Sequence, residues 1–295
     1  MNPNRPAGTR GVGATPLPIP TVTLTSGARI PQLGFGTYKI APRDAQRAVE
    51  TALELGCRHI DAAAMYGNER EVGRALASSL LPREELWITS KLDNPFHAPA
   101  AAREAFARSL EDLGLAYVDL YLIHWPLART TDYVATWETL QEFVDDGRAR
   151  AVGTSNFQPA HLRRIVEATE SVPAVNQVEV NPYLTQEPLR ALHQKLGIVT
   201  EAWSPLARGR ALGDPVVVGI ARELGRTPSQ VVLRWHLQRG DVVFPKSTRP
   251  ERIAENLDVL DFSLTEAQMA AVSGLNRDER SGSDPDVVEL DGGRR

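Results

Sequence analysis

From about residue 33 onward the chain alternates short apolar runs with longer stretches whose apolar residues recur every three to four positions. The short runs fall near 33–36, 58–61, 86–90, 118–123, 149–153, 175–180, 198–202 and 242–244 and read as strands. Between them, amphipathic patterns near 43–55, 69–79, 99–112, 133–145, 159–168, 187–196 and 228–238 read as helices. Regular strand–helix alternation implies a parallel sheet covered by helices, and eight such units fit a closed (β/α)8 TIM barrel better than an open doubly wound sheet. Ahead of the alternation, Thr21–Leu24, a Ser26-Gly27 turn and Ala28–Ile30 predict a small β-hairpin. Further helices near 215–224, 250–258 and 265–273 are insertions or C-terminal additions. The expected organisation is a disordered N-terminal tail over 1–20, a barrel over 21–277 and a charged, Gly-rich C-terminal tail over 278–295 that could lie across the barrel mouth.

A dinucleotide-binding doubly wound domain is the natural rival. Its glycine loop, Gly-x-Gly-x-x-Gly between strand and helix, is missing, and Gly34-Phe35-Gly36-Thr37-Tyr38-Lys39 lacks the third glycine. Composition narrows the function classes. A net charge of −4 disfavours a nucleic-acid binder working by bulk electrostatics, although local cations could serve a phosphorylated small molecule. Cys57 is the single cysteine, which excludes an intrachain disulfide and an all-cysteine metal site. Neither a signal-like apolar stretch at the start nor a run of the ~18 apolar residues that a membrane span needs is visible, so a cytoplasmic protein with no membrane partner is expected.

Barrels place their chemistry at the C-terminal ends of the strands. Three strand ends here deliver polar groups: His59-Ile60-Asp61 leads to Tyr66, the strand over 86–90 to Lys91, and the strand over 118–123 to His124. Each residue alone has an ordinary reading, as a helix cap, a solvated lysine, a packed ring or a core histidine. Together they can protonate a carbonyl. A phenol with a pKa of about 10 is a sluggish acid near neutrality. A neighbouring ammonium favours its phenolate and is expected to lower that pKa, while a buried aspartate keeps the ammonium charged. His124 would then hold and orient the substrate oxygen.

With these residues in view, the chain resembles the aldo-keto reductases from about residue 21 to about residue 277. The resemblance rests on Leu33–Thr37, His59-Ile60-Asp61 with Tyr66-Gly67-Asn68-Glu69, Thr89–Leu92, Asp119–Pro126 and Gly153–Phe157. It implies a catalytic tetrad of Asp61, Tyr66, Lys91 and His124. It also implies hydride transfer from C4 of a nicotinamide dinucleotide bound without a Rossmann domain. On the same resemblance, Ser155, Asn156 and Gln177 hold the nicotinamide carboxamide, and Trp203 stacks on the ring. Ser204 and Leu206 line the pyrophosphate path, and Gly36 and Thr37 belong to the cofactor site. Lys246, Ser247, Thr248 and Arg252 clamp a 2′-phosphate, with Glu255 and Asn256 near the adenine, which favours NADPH over NADH.

Within the family the chain looks most similar to bacterial 2,5-diketo-D-gluconate reductases, through Pro173–Gln177, Val232–Gln238 and Glu255–Val259. That implies a small-molecule carbonyl substrate, a keto-sugar acid or a small dicarbonyl such as methylglyoxal, and a monomer. Tyr38, Trp125 and the loop after Lys91 would line the carbonyl pocket. In that loop Asp93 stands where relatives commonly carry Trp, which widens the pocket and makes an acidic substrate less welcome. His161, His193 and His236 read as packing or surface residues. A metal-dependent hydrolase would need several strand-end ligands, and only His124 is well placed, so no metal is expected. The other alternative is an NADPH-binding regulatory subunit with little turnover.

Overall fold

Eight parallel strands close around a common axis. The computed structural model describes residues 18–288. Most of the expected N-terminal tail, and the last residues of the C-terminal one, therefore lie outside the described residues. The barrel strands are β3 (Phe35–Gly36), β4 (His59–Asp61), β5 (Trp87–Leu92), β6 (Val118–Ile123), β7 (Ala149–Ser155), β8 (Val175–Glu179), β9 (Val199–Trp203) and β10 (Val242–Val243). They pair in chain order, and a parallel bridge between Leu33 and Val243 joins the last strand to the first. At this seam Gly34 N donates to Val243 O and Val243 N to Gln32 O, both at 2.9 Å. A (β/α)8 barrel is thus the architecture, with β3 and β10 reduced to two residues each where Gly34 and Pro245 flank the seam.

The helices fall where the periodicity places them: α1 (Pro42–Glu54), α2 (Glu69–Ser78), α3 (Pro99–Leu113), α4 (Tyr133–Asp145), α5 (Pro159–Thr169), α6 (Glu187–Leu196), α7 (Pro215–Leu224), α8 (Pro228–Gln238), α9 (Pro250–Leu257) and α10 (Glu266–Ser273). Proline opens many of them because its fixed φ suits the first turn and its missing N–H would have no intrahelical partner there. Thr227 with Gln230, and Thr265 with Gln268, form reciprocal capping boxes.

Strand parity sorts the side chains. On β6, Tyr121 and Ile123 join the core under the helices, while Leu120 and Leu122 face the barrel interior with Trp87, Ala151, Val175 and Val199. The hairpin of β1 (Thr21–Thr23) and β2 (Arg29–Pro31) adds Leu24, just after β1, and Ile30 to that interior cluster and closes its lower end. Continuing upward by steps of two from Trp87, Ala151, Val175 and Val199 reaches Lys91, Ser155, Gln177 and Glu201. The barrel is therefore apolar below and polar above. Gly153 is needed on the way: a Cβ there would stand 2.6 Å from Val175 O and 2.9 Å from Leu122 Cδ2.

Candidate active site

Lys91 organises the polar layer. It lies inside β5, which runs one residue past it, and its side chain is fully buried. Its ammonium donates to Asp61 Oδ1 at 2.7 Å, Ala62 O at 2.9 Å and Tyr66 Oη at 3.2 Å. Three donors meet three acceptors, so the charged form is fully satisfied. Burial alone would lower the Lys91 pKa, but the Asp61 charge and the bond to Tyr66 outweigh it and hold the group above its usual value.

Tyr66 ends the short 3₁₀ turn Ala64–Tyr66, which Gly67 closes in the left-handed region at φ 65°. Asn68 then ties this loop to the one after β3, donating to Thr37 O and Ile40 O at 3.0 Å each. Tyr66 Oη accepts from Lys91, and this is its only hydrogen bond among the described residues, which leaves its own proton directed elsewhere. The expected lowering of its pKa is corrected here. Lys91 does pull it down, but burial is the larger effect and pushes the phenol up to about 12. Tyr66 therefore holds its proton in the resting site.

His124 follows β6 directly, its ring 5.6 Å from that of Tyr66 in an edge-on arrangement. Nδ1 is buried without a partner among the described residues. Burial, then the Lys91 charge, hold the imidazole well below its usual pKa, so it is neutral. A neutral ring can donate from Nε2 to a carbonyl oxygen while remaining uncharged.

A cavity of about 520 Å³ opens over these groups. Asp61, Tyr66, His124, Trp125 and Tyr38 line one part, and Ser155, Asn156, Gln177, Trp203, Ser204, Leu206, Gly36 and Lys246 line the rest. The amide and hydroxyl groups form a connected set. Gln177 Nε2 donates to Asp61 Oδ1 and Glu201 Oε2, both at 2.8 Å, and Ser155 Oγ donates to Gln177 O at 2.9 Å. Asn156, in the left-handed region at φ 66°, donates to His124 O at 2.9 Å and accepts from Trp203 Nε1 at 2.8 Å. Directional amide groups beside a large indole suit a flat ring carrying a carboxamide, and Lys246 suits an anion at the other end.

Several expected residues stand back from the cavity. Thr37 is buried and donates from Oγ1 to Asp61 O at 3.0 Å. Ser247, Thr248, Arg252, Glu255 and Asn256 follow Lys246 into α9 without lining the cavity wall. There Arg252 pairs with Glu255 at 2.9 Å, and Glu255 also accepts from Thr227 Oγ1 at 2.7 Å. Asp93 does not line the cavity either: its carboxylate accepts from Asn94 N at 2.7 Å and caps the turn Asn94–Phe96. His193 is buried between Asn176 and Thr200, His236 bonds Asp241, and His161 caps α5.

Sequence reading passed over Glu201, Glu179, Lys39, Met65 and Arg208, and it named the C-terminal tail as a possible cover of the barrel mouth without singling out Ser281–Ser283. Strand parity would have found the two carboxylates, since both share the inward phase of Gln177 or Trp203. The C-terminal segment carries no such signal. It docks because buried Glu179 at the end of β8 accepts from Ser281 N at 2.7 Å, Ser281 Oγ and Gly282 N at 3.0 Å. A second cavity, of about 410 Å³, sits by the hairpin end of the barrel among Arg190, His193 and Arg239 and contains none of these groups. Among the described residues, no group of three or more His, Cys, Asp or Glu could hold a metal ion, and no helix is long and apolar enough to cross a membrane.

Comparison with known proteins agrees with this geometry. An aldo-keto reductase of Mycolicibacterium smegmatis is 48% identical over 273 residues, 92% of this chain and 99% of that one. The solved structure of a single-residue variant of Gox0644 in complex with NADPH superposes with a TM-score of 0.89 at 40% identity, over 92% of this chain and all of that one. Bombyx mori aldo-keto reductase in complex with NADP gives 0.86 at 37%, over 92% and 97% of the two chains. The profile of the aldo/keto reductase family matches residues 32–277, a span that runs from the barrel seam at Gln32 through Asp61, Tyr66, Lys91 and His124 to the start of the C-terminal segment. This chain belongs to the aldo/keto reductase family.

Proposed function

We propose that the protein reduces aldehyde or ketone carbonyls to alcohols with NADPH, using Asp61, Tyr66, Lys91 and His124. The observation that carries the reading is the chain Asp61–Lys91–Tyr66 at 2.7 and 3.2 Å, opening into a cavity shared with neutral His124. When bound, a nicotinamide dinucleotide would supply the hydride for the carbonyl carbon. Tyr66 supplies the proton to the carbonyl oxygen, and Lys91 stabilises the phenolate as it forms. Asp61 keeps Lys91 charged throughout. His124 donates to the same oxygen and sets the carbonyl plane, an effect strengthened by the low dielectric of the buried site.

Ser155, Asn156 and Gln177 would hold the carboxamide, with Trp203 against the ring. Lys246 and Arg252 would pair with a 2′-phosphate, which supports NADPH over NADH. Relatives with bound NADPH or NADP support the same choice. For substrate, the reading is a small carbonyl compound such as 2,5-diketo-D-gluconate or methylglyoxal, acted on by a monomer.

The test follows NADPH absorbance with 2,5-diketo-D-gluconate, methylglyoxal and aromatic aldehydes, with Tyr66→Phe as control. Turnover by the wild type, lost in Tyr66→Phe, is expected. NADPH binding without turnover of any carbonyl would instead indicate a cofactor-sensing subunit, and failure to bind NADPH would reject the reading.

A further inference from the structure

The mechanism leaves the interior carboxyl of Glu201 unused. Glu201 sits on β9 beside Gln177 in register, fully buried within the barrel. Its Oε2 accepts from Gln177 Nε2 at 2.8 Å, and its Oε1 is buried with no partner among the described residues. The other proton of the same amide goes to Asp61 Oδ1, also at 2.8 Å. A five-group chain results, from Tyr66 through Lys91, Asp61 and Gln177 to Glu201.

We propose that Glu201 is a positioning residue for the reductase reaction: with Asp61 it takes both amide protons of Gln177, turning Gln177 Oε1 outward to accept from the N–H of the nicotinamide carboxamide. The proposal rests on the reductase reading above. Flipping the amide would aim its carbonyl oxygen at the charged Asp61 carboxylate and remove the Nε2 bonds that Asp61 and Glu201 accept, so the present orientation is the one that gives both amide protons an acceptor. Asp61 alone does not do this as firmly, because a single acceptor leaves the second amide proton buried and unpaired. Gln177 Oε1 makes no hydrogen bond among the described residues, and Gln177 lines the cavity.

Glu201 acts here as a neutral acid. The ionisable groups facing it are Asp61 from β4 and Lys91 from β5. Strand β8 presents neutral Gln177, with Glu179 further along turned to the C-terminal segment, and β10 presents Val242 in register. Lys91 has spent all three donors elsewhere. Burial first, and then the Asp61 charge, push the Glu201 carboxyl up to about 8. Above that pH a second negative charge appears next to Asp61 and opposes formation of the Tyr66 phenolate.

The experiment compares wild type with Glu201→Gln and Glu201→Leu. It measures the infrared carbonyl band of a protonated carboxyl without cofactor, NADP+ affinity by quenching of tryptophan fluorescence, and the pH profile of kcat. The wild type should show a band component that fades as pH rises through about 8, apart from the Glu69 component that fades near 7, and only the former is missing from Glu201→Gln. Glu201→Leu should weaken NADP+ binding by about tenfold, the scale of one buried unpaired donor. Glu201→Gln, which keeps a carbonyl acceptor, should recover most of that affinity and lose the high-pH fall in kcat. Wild-type affinity in a folded Glu201→Leu, or an unchanged band and pH profile in Glu201→Gln, overturns the proposal alone. A wild type that does not bind NADP+ rejects the reductase reading and the proposal together.

Discussion

Gly282 packs closely against the indole of Trp203: a Cβ at this position would stand 3.0 Å from Trp203 Cζ3 and closer still to Cη2. Trp203 is held on its other side by the bond from Nε1 to Asn156. The ring is thus fixed between a side chain of the proposed carboxamide site and a C-terminal segment latched to Glu179. Gly282→Ala must displace one of them. We expect about a three- to tenfold weaker NADPH affinity and an altered tryptophan emission, with little change in melting temperature because the segment lies outside the barrel core. Unchanged affinity would show that the segment yields without moving Trp203.

Removing the ammonium tests the proton relay. Lys91→Met leaves Asp61 buried without its cation, a type of change that costs about 3–5 kcal/mol. It also removes the charge that stabilises the Tyr66 phenolate. A fall in kcat of about 10²–10⁴ is expected, in the range of a lost acid–base contribution, together with a clear loss of denaturant resistance. Tyr66→Phe should match the loss in kcat while remaining close to wild type in stability. That contrast separates chemistry from folding.

The cationic cluster predicts a cofactor preference. Lys246 is exposed at the cavity edge and, among the described residues, Arg252 is paired only with Glu255. Arg252→Ala should raise the Kd for NADPH by about tenfold, the size of one charge-assisted bond to phosphate, and leave the Kd for NADH nearly unchanged. Parallel titrations with the two cofactors check it, and equal losses for both would place the arginine away from the 2′-phosphate.

Stability should peak slightly below neutral pH. All six histidines have lowered pKa values, among them His59 and His97 at about 4 and His193 at about 3, each chiefly through burial. Their neutral forms favour the fold, so this stability is complete above the unfolded value near 6.5 and is lost as pH falls toward 4 and 3. Burial raises Glu69 to about 7 and Glu201 to about 8, and for them the sign is opposite. Their contribution is complete below about 4.5 and declines as pH rises through 7 and 8. Histidines outnumber the two carboxyls on the acid side, which places the optimum near pH 6.5. Urea midpoints from pH 4 to 9 measure the curve, and His193→Asn should flatten its acid limb.

Much of the site was legible because strand ends are legible. A strand that ends in a polar residue marks the rim of a barrel, and Asp61, Lys91, His124 and Ser155 obey that rule, whereas Gln177 sits in the middle of β8. Asp93 follows the same strand as Lys91, yet its role depends on a turn: a carboxylate that can cap Asn94 N does so, and the backbone bond decides where it points. The Tyr66 pKa was misjudged for a related reason. A neighbouring lysine can be anticipated from the motif, but the burial that outweighs it depends on what packs around Tyr66, including the rings of Tyr38 and His124 at 5.1 and 5.6 Å.

By itself the sequence determined the barrel, its helices and the identity of the reacting groups, because periodicity, proline starts and strand-end placement are local signals that survive without a partner in view. The tertiary structure decided what those groups face. Closing eight strands in register set Glu201 beside Gln177 and left one buried oxygen unpaired. It also brought Ser281 and Gly282 onto Glu179, 102 and 103 residues earlier in the chain. Such contacts join residues with no sequence relation, and only the burial of the whole barrel makes their hydrogen bonds obligatory.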